Sequence, residues 1–99
     1  MPDHLPDNLD ALLADLAQQY RARRVVLFGS RARGDSRERS DVDLAVYGLD
    51  HTQAGRLRLA LEALPTLLEF DLVCVDENTS HALLENIERE GVILYASKM

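Results

Sequence analysis

The sequence predicts an α/β domain in which short strands alternate with helices in two or three layers. Short apolar runs that end at glycine or at polar residues are typical of buried strands. The segments between these runs carry apolar residues at the spacing of an amphipathic helix. With 99 residues and 46% apolar content, the chain has the size and composition for one core. We therefore expect a single domain over residues 1–99, with residues 1–6 as a flexible leader.

The first predicted helix spans residues 8–22 and follows Asp7, a residue type that commonly caps helices. The arginines within residues 21–24 close this helix, because cations complement the dipole at its end. The apolar run 25–28 then ends at Gly29, which predicts a buried strand. The apolar face of the helix consists of Leu9, Leu12, Leu13, Leu16, Ala17 and Tyr20.

The rest of the chain continues the alternation of strands and helices. Residues 30–33 are predicted to form a short helical turn closed by Gly34, and residues 35–40 a polar loop. The remaining elements are a strand at 42–47, a helix at 52–64 ended by Pro65, a strand at 69–75, a helix at 80–90 stopped by Gly91 and a strand at 92–95.

Charge and cysteine content argue against several classes of protein. A net charge of −6 disfavours a nucleic-acid binder or a partner of anionic membranes, because both need a basic surface. Cys74 is the only cysteine, which excludes an internal disulfide and suits a reducing cytosol. No apolar run is long enough to span a bilayer, and the first residues lack the features of a signal peptide. We expect a soluble cytoplasmic protein without direct nucleic-acid binding.

The strongest functional signal is Gly29-Ser30, followed after ten residues by Asp41-Val42-Asp43. Side chains alternate along a strand, so Asp41 and Asp43 share one face, where two carboxylates repel unless a cation lies between them. Mg²⁺ prefers carboxylate oxygens. The Gly-Ser turn offers backbone N–H groups and a hydroxyl to a phosphate. Together the two halves predict metal-assisted phosphate chemistry, whereas an acidic strand end that meets solvent is the plainer interpretation of the aspartates alone.

Asp71 is a candidate third ligand because it lies within the apolar segment 70–73, where burying a carboxylate is costly unless it binds a cation or a donor. If its strand neighbours that of Asp43, three carboxylates could hold two Mg²⁺ ions about 3.5–4 Å apart, as in nucleotidyl transfer. Asp71 could then also act as general base for the attacking hydroxyl. A partly exposed strand residue without a ligand is the alternative.

Four arginines and two acids occupy the ten residues between Ser30 and Asp41. Because arginine binds phosphate bidentately, Arg31 and Arg33, the nearest to the Gly-Ser turn, are candidates for nucleotide contacts. A solvated loop is the alternative for all four arginines. Tyr47 lies on the same strand face as the aspartates, which would let it approach the nucleotide.

These motifs resemble those of the minimal nucleotidyltransferases of the DNA polymerase β superfamily. The resemblance covers residues 25–75 and rests on segments 29–35 and 40–44 and on the later lone aspartate, Asp71. It implies a polymerase β-like α+β fold, with a mixed sheet of about four strands and flanking helices. It also implies that the Gly-Ser turn grips the nucleotide phosphates and that the three aspartates bind Mg²⁺.

The resemblance further implies a biological context. Small proteins of this kind are usually encoded beside a HEPN-domain ribonuclease toxin and act as its antitoxin. In some pairs the nucleotidyltransferase moves AMP from ATP onto a tyrosine of the toxin and silences it, which implies a hetero-oligomer with the toxin. Two alternatives stay open: a non-catalytic antitoxin that neutralises its toxin by docking, and a transferase for small molecules such as aminoglycosides. In the docking role, an acidic chain would associate favourably with a basic ribonuclease.

Overall fold

Strands and helices alternate along the part of the chain that is described. The computed structural model describes residues 9–29, 42–64 and 68–97. The elements in these ranges are α1 (Leu9–Gln19), β1 (Arg24–Phe28), β2 (Val42–Tyr47), α2 (His51–Glu62), β3 (Phe70–Val75), α3 (His81–Glu90) and β4 (Val92–Ala96). The strands form a single sheet in the order β3-β2-β1-β4.

The sheet is mixed, which confirms the predicted fold class. Strand β1 pairs antiparallel with both β2 and β4. Strand β2 pairs in parallel with β3. A parallel connection has to cross over the sheet, and α2 supplies this crossover between β2 and β3.

The helices cover the two faces of the sheet unequally. Helices α1 and α2 pack on one face and form the larger core, whereas α3 packs on the other face through Ile87 and Leu83. Helix α3 contacts mainly β1. The buried residues of the larger core are Leu9, Leu13, Ala17, Ala22, Val25, Leu27, Val42, Leu44, Val46, Leu49, Ala54, Leu57, Leu61 and Leu72.

Helix α1 ends at Gln19, earlier than predicted, because the backbone closes in a Schellman pattern. The N–H of Ala22 donates to the carbonyl of Ala17 at 2.9 Å, and the N–H of Arg21 donates to that of Gln18 at 3.1 Å. Arg21 takes the left-handed position of this pattern, with φ of 62°. Glycine is the usual residue at such a position, so an arginine there gave no sequence signal for the helix end.

The other two helices begin at polar caps. Asp50 accepts a hydrogen bond from the N–H of Gln53 at 2.7 Å, and the Gln53 side chain accepts one from the N–H of Asp50 at 3.5 Å, which forms a capping box for α2. Ser80 caps α3 by accepting from the N–H of Leu83 at 3.2 Å. The observed starts of both helices lie within one residue of the predicted ones.

Gly91 ends α3, as predicted, but for a different reason. Its φ is −71°, so the backbone is not left-handed. A Cβ at Gly91 would instead overlap the carbonyl oxygen of Ile87 and Cγ1 of Val26. Glycine therefore allows the end of α3 to pack closely against β1.

The remaining predicted bounds agree with the structure to within one or two residues. The predicted leader at 1–6, Asp7, Pro65 and the turn and loop between residues 30 and 40 lie outside the described residues. Within the described part of the chain, no helix has the length and apolar character needed to cross a membrane.

Candidate active site

Asp43 and Asp71 lie side by side on two neighbouring strands. They are register partners in the parallel pair of β2 and β3. Neighbouring strands lie about 4.8 Å apart, so partner side chains on one face are close neighbours. The adjacency of these strands was the condition for Asp71 to join the other aspartates, and the structure meets it.

Both carboxylates are on the face of the sheet that α3 partly covers. Along β2, Leu44 belongs to the larger core, whereas Ala45 packs with Ile87 of α3. Because side chains alternate, Asp43 is on the same face as Ala45. Along β3, Leu72 belongs to the larger core, which places Asp71 on the same face as Asp43.

Phe28 extends this row onto a third strand. It is the antiparallel partner of Asp43 and packs against the cluster formed with α3. A row of Phe28, Asp43 and Asp71 therefore crosses β1, β2 and β3, with an apolar side chain at one end and an exposed carboxylate at the other. Sequence reasoning did not single out Phe28, although it stands immediately before the Gly-Ser turn.

Gly29, which directly follows β1, lies against the carboxylate of Asp43. Its φ is +76°, a left-handed conformation that favours glycine. A Cβ built on Gly29 would overlap Oδ2 of Asp43 and lie 3.2 Å from its Cγ. Gly29, the described residue of the candidate phosphate-binding motif, therefore lies against Asp43 where β1 ends and β2 begins.

The burial argument for Asp71 is wrong. Asp71 is exposed, although its sequence neighbours are apolar, because it lies on an edge strand, whereas α3 packs mainly against β1. Asp43 on the interior strand β2 is half-buried. Asp71 therefore has no need of a cation to offset desolvation, and the case for a ligand role rests on its position beside Asp43.

The carboxylates of Asp43 and Asp71 are suitable ligands for a hard divalent cation. Two like charges directly opposite each other on neighbouring strands destabilise the pair, and a cation between them removes this cost. Carboxylate oxygens on an exposed face are the ligands that Mg²⁺ prefers. In the ranges 9–29, 42–64 and 68–97, no three acidic, histidine or cysteine side chains form a metal-binding group. The predicted third carboxylate, Asp41, belongs to none of these ranges.

Four of the predicted site residues lie outside the described residues: Ser30, Arg31, Arg33 and Asp41. Their roles stay predictions. Of the seven predicted site positions, the structure brings together Gly29, Asp43 and Asp71.

Tyr47 is engaged away from the carboxylates. The guanidinium carbon of Arg24 lies 4.2 Å from the centroid of its ring, a cation–π arrangement. Tyr47 is four residues along β2 from Asp43, which corresponds to about 13 Å of strand. Tyr47 thus shares a face with Asp43, as predicted, but lies at the opposite end of β2.

Cys74 is a partly buried residue at the margin of the larger core. Its thiol donates to the backbone carbonyl of Leu49 at 3.3 Å, and the residue packs against the larger core. Burial, followed by the nearby negative charge of Asp76, raises the pKa of the Cys74 thiol. A thiol in this state is a poor nucleophile, so the contacts of Cys74 point to a packing role.

Comparison with known proteins identifies the class of protein that this fold and site define. The family model described as polymerase beta, nucleotidyltransferase matches residues 12–99, and the chain belongs to this family. A solved structure assigned to a minimal nucleotidyltransferase is 35% identical, and the alignment covers 84% of this chain and 86% of that one with a TM-score of 0.68. No curated protein matches the chain.

Structures of toxin–antitoxin proteins are also similar to the chain. A crystal structure of a toxin–antitoxin with AMP-PNP is 25% identical, covers 91% of this chain and 75% of that chain, and has a TM-score of 0.73. A complex of a tri-AMPylated Shewanella oneidensis HEPN toxin with its MNT antitoxin is 22% identical, covers 90% of this chain and 71% of that chain, and has a TM-score of 0.59. The second likeness, at its lower identity, shows the shared fold.

Proposed function

We propose that this chain is a Mg²⁺-dependent adenylyltransferase that moves AMP from ATP onto a tyrosine hydroxyl of a cognate HEPN ribonuclease toxin and thereby acts as its antitoxin. The observation that carries this proposal is the pairing of Asp43 with Asp71 beside the turn at Gly29. This arrangement occurs in a chain of the polymerase beta nucleotidyltransferase family.

The proposed site divides into a cation-binding part and a nucleotide-binding part. When bound, Mg²⁺ supplies neutralisation of the phosphate charge and activation of the attacking hydroxyl. The side chains proposed to hold it, as two ions, are Asp41, Asp43 and Asp71. The residues proposed to hold the phosphates of ATP are Gly29, Ser30, Arg31 and Arg33.

The exposure of Asp71 suits a role at the acceptor. In the proposed reaction the acceptor oxygen bonds to the α-phosphorus of ATP, the bond from that phosphorus to the bridging oxygen breaks, and diphosphate leaves. Asp71 takes the hydroxyl proton as general base. An exposed carboxylate on an edge strand is accessible to a hydroxyl carried by another macromolecule, whereas half-buried Asp43 is better placed to hold the nucleotide side of the site.

A protein acceptor is supported by the architecture and by the similar structures. Every described helix packs on the sheet, so none is left to build a separate acceptor pocket. The similar toxin–antitoxin structure with AMP-PNP supports ATP as the donor. The similar complex from Shewanella oneidensis contains a tri-AMPylated HEPN toxin, and AMPylation of such a toxin is the reaction that we propose for this chain.

The test is to incubate the chain with ATP, Mg²⁺ and the HEPN protein encoded beside it, and to measure the intact mass of that protein. We expect the addition of one or more adenylyl groups on tyrosine and loss of its ribonuclease activity. The Asp41→Asn, Asp43→Asn double variant should lose transfer while keeping its circular dichroism spectrum. The matched control is Asp15→Asn, which removes a charge from an exposed position on α1, across the sheet from the site.

The two alternatives give different results in the same experiment. If the double variant silences the toxin as well as the unaltered chain does, the protein acts by docking and transfer is not needed. If ATP is consumed only when a small hydroxylated acceptor such as an aminoglycoside is present, the proposal of a protein acceptor is wrong.

A further inference from the structure

Two glycines occupy equivalent positions at opposite ends of the β1–β2 pair. Gly29 follows β1 and lies beside the start of β2, whereas Gly48 follows β2 and lies beside Arg23, the residue that precedes β1. Both have left-handed backbones, with φ of +76° and +84°. The two positions thus share their backbone requirement and differ in what an added side chain would meet.

At Gly48 an added Cβ would meet the Cβ and backbone of Arg23, which immediately precedes β1. It would lie 2.7 Å from Cβ and 3.1 Å from the backbone nitrogen of Arg23. At Gly29 all three nearest atoms instead belong to the side chain of Asp43: Oδ2 would be overlapped, Cγ would lie at 3.2 Å and Cβ at 3.4 Å. Only the last of these distances is an ordinary contact, so the carboxylate itself occupies the space that a side chain at residue 29 would need.

We propose that Gly29 is a positioning residue for Asp43, because its missing side chain leaves the space that the Asp43 carboxylate occupies and so sets where its oxygens lie. This role differs from gripping phosphate and would hold with no nucleotide bound. The expected effect of this carboxylate position on cation binding rests on the proposed function.

A thermal double-mutant cycle tests the contact without reference to activity. Gly29→Ala is measured alone and in an Asp43→Ala background, where the remaining Cβ is at ordinary contact distance. The melting temperature should fall in both backgrounds because of the left-handed φ. With Asp43→Ala, the drop should be smaller by roughly 4–8 °C, because the overlap with Oδ2 is gone. An equal drop in both backgrounds would overturn the proposal.

Gly48→Ala is the matched control for this cycle. Its strain comes from the same left-handed backbone and from Arg23, so its effect on the melting temperature should be the same with and without Asp43→Ala. If Asp43→Ala relieves Gly48→Ala as much as Gly29→Ala, the coupling is general softening of the sheet, and the proposal is wrong.

Binding of Mn²⁺ alone, measured by titration without nucleotide, separates positioning from phosphate binding. Gly29→Ala should weaken the affinity by about 10-fold or more, the size seen when a residue that orients a metal ligand is changed. Gly48→Ala should leave it unchanged. Coupling in the thermal cycle with an unaltered Mn²⁺ affinity would overturn the positioning role. Failure of the unaltered chain to bind Mn²⁺ would count against the proposed function, while the thermal cycle would still decide whether Gly29 sets the carboxylate.

Discussion

Removing one carboxylate of the Asp43–Asp71 pair should make the metal-free protein more stable while it destroys the site. Asp71→Asn leaves the side-chain shape nearly unchanged and removes one of two like charges that are register partners. At a separation of about 5 Å, Coulomb's law gives about 0.8 kcal/mol in water and about 3 kcal/mol at an effective dielectric constant near 20. Because Asp71 is exposed, the lower end applies.

We therefore expect Asp71→Asn to raise the free energy of unfolding in EDTA by about 0.5–1 kcal/mol, in the range found for opposed like charges in sheets. For a domain of this size the melting temperature should rise by about 2–8 °C. In saturating Mg²⁺ the unaltered chain should instead be more stable than Asp71→Asn, since it gains binding free energy that the variant largely loses.

The assay is urea unfolding followed by circular dichroism, in EDTA and in Mg²⁺, with Asp15→Asn as control for the change in net charge. The control residue is exposed on α1, which packs on the opposite face of the sheet. If Asp71→Asn and Asp15→Asn shift the EDTA midpoint equally, the effect is one of net charge, and the two carboxylates do not repel as argued. Equal stabilisation of all three proteins by Mg²⁺ would place the cation elsewhere.

Three further results are expected. Arg21→Gly should raise stability by roughly 0.5–1 kcal/mol, measured by urea unfolding, because glycine fits the left-handed end of α1 better than arginine does; a loss of stability would contradict the Schellman assignment. Asp50→Ala should cost about 1 kcal/mol and remove helix signal from circular dichroism, because it deletes the cap of α2; no change would mean that Gln53 suffices. Burial raises the folded-state pKa of Cys74, so its stabilising effect is full below the unfolded pKa, about 8.5, and is lost as pH rises through the higher folded value. Urea midpoints between pH 7 and 10 should therefore fall less steeply for Cys74→Ala than for the unaltered chain; parallel curves would refute this.

The sequence predicted local features well because their signals are local. The strand at 42–47 agrees with the structure at both ends, and the helices predicted to start at 52 and 80 start at His51 and His81, where Asp50 and Ser80 form caps through bonds that span three residues. The end of α1 was misplaced, because Arg21 adopts a backbone that its residue type does not indicate. The burial of Asp71 was misjudged for a related reason: apolar neighbours in sequence do not reveal whether a strand lies at the edge of a sheet.

By itself, the sequence determined the order of strands and helices in the described residues, which side chains share a strand face, and that the Gly-Ser and Asp-Val-Asp motifs are ten residues apart along the chain. Side-chain alternation and helical periodicity depend only on near neighbours, so they can be read from the chain directly. The tertiary structure decided that Asp71 is the register partner of Asp43 and that Gly29 makes room for the Asp43 carboxylate. Strand order and register depend on how the crossover through α2 packs on the larger core, and contacts between distant residues set that packing.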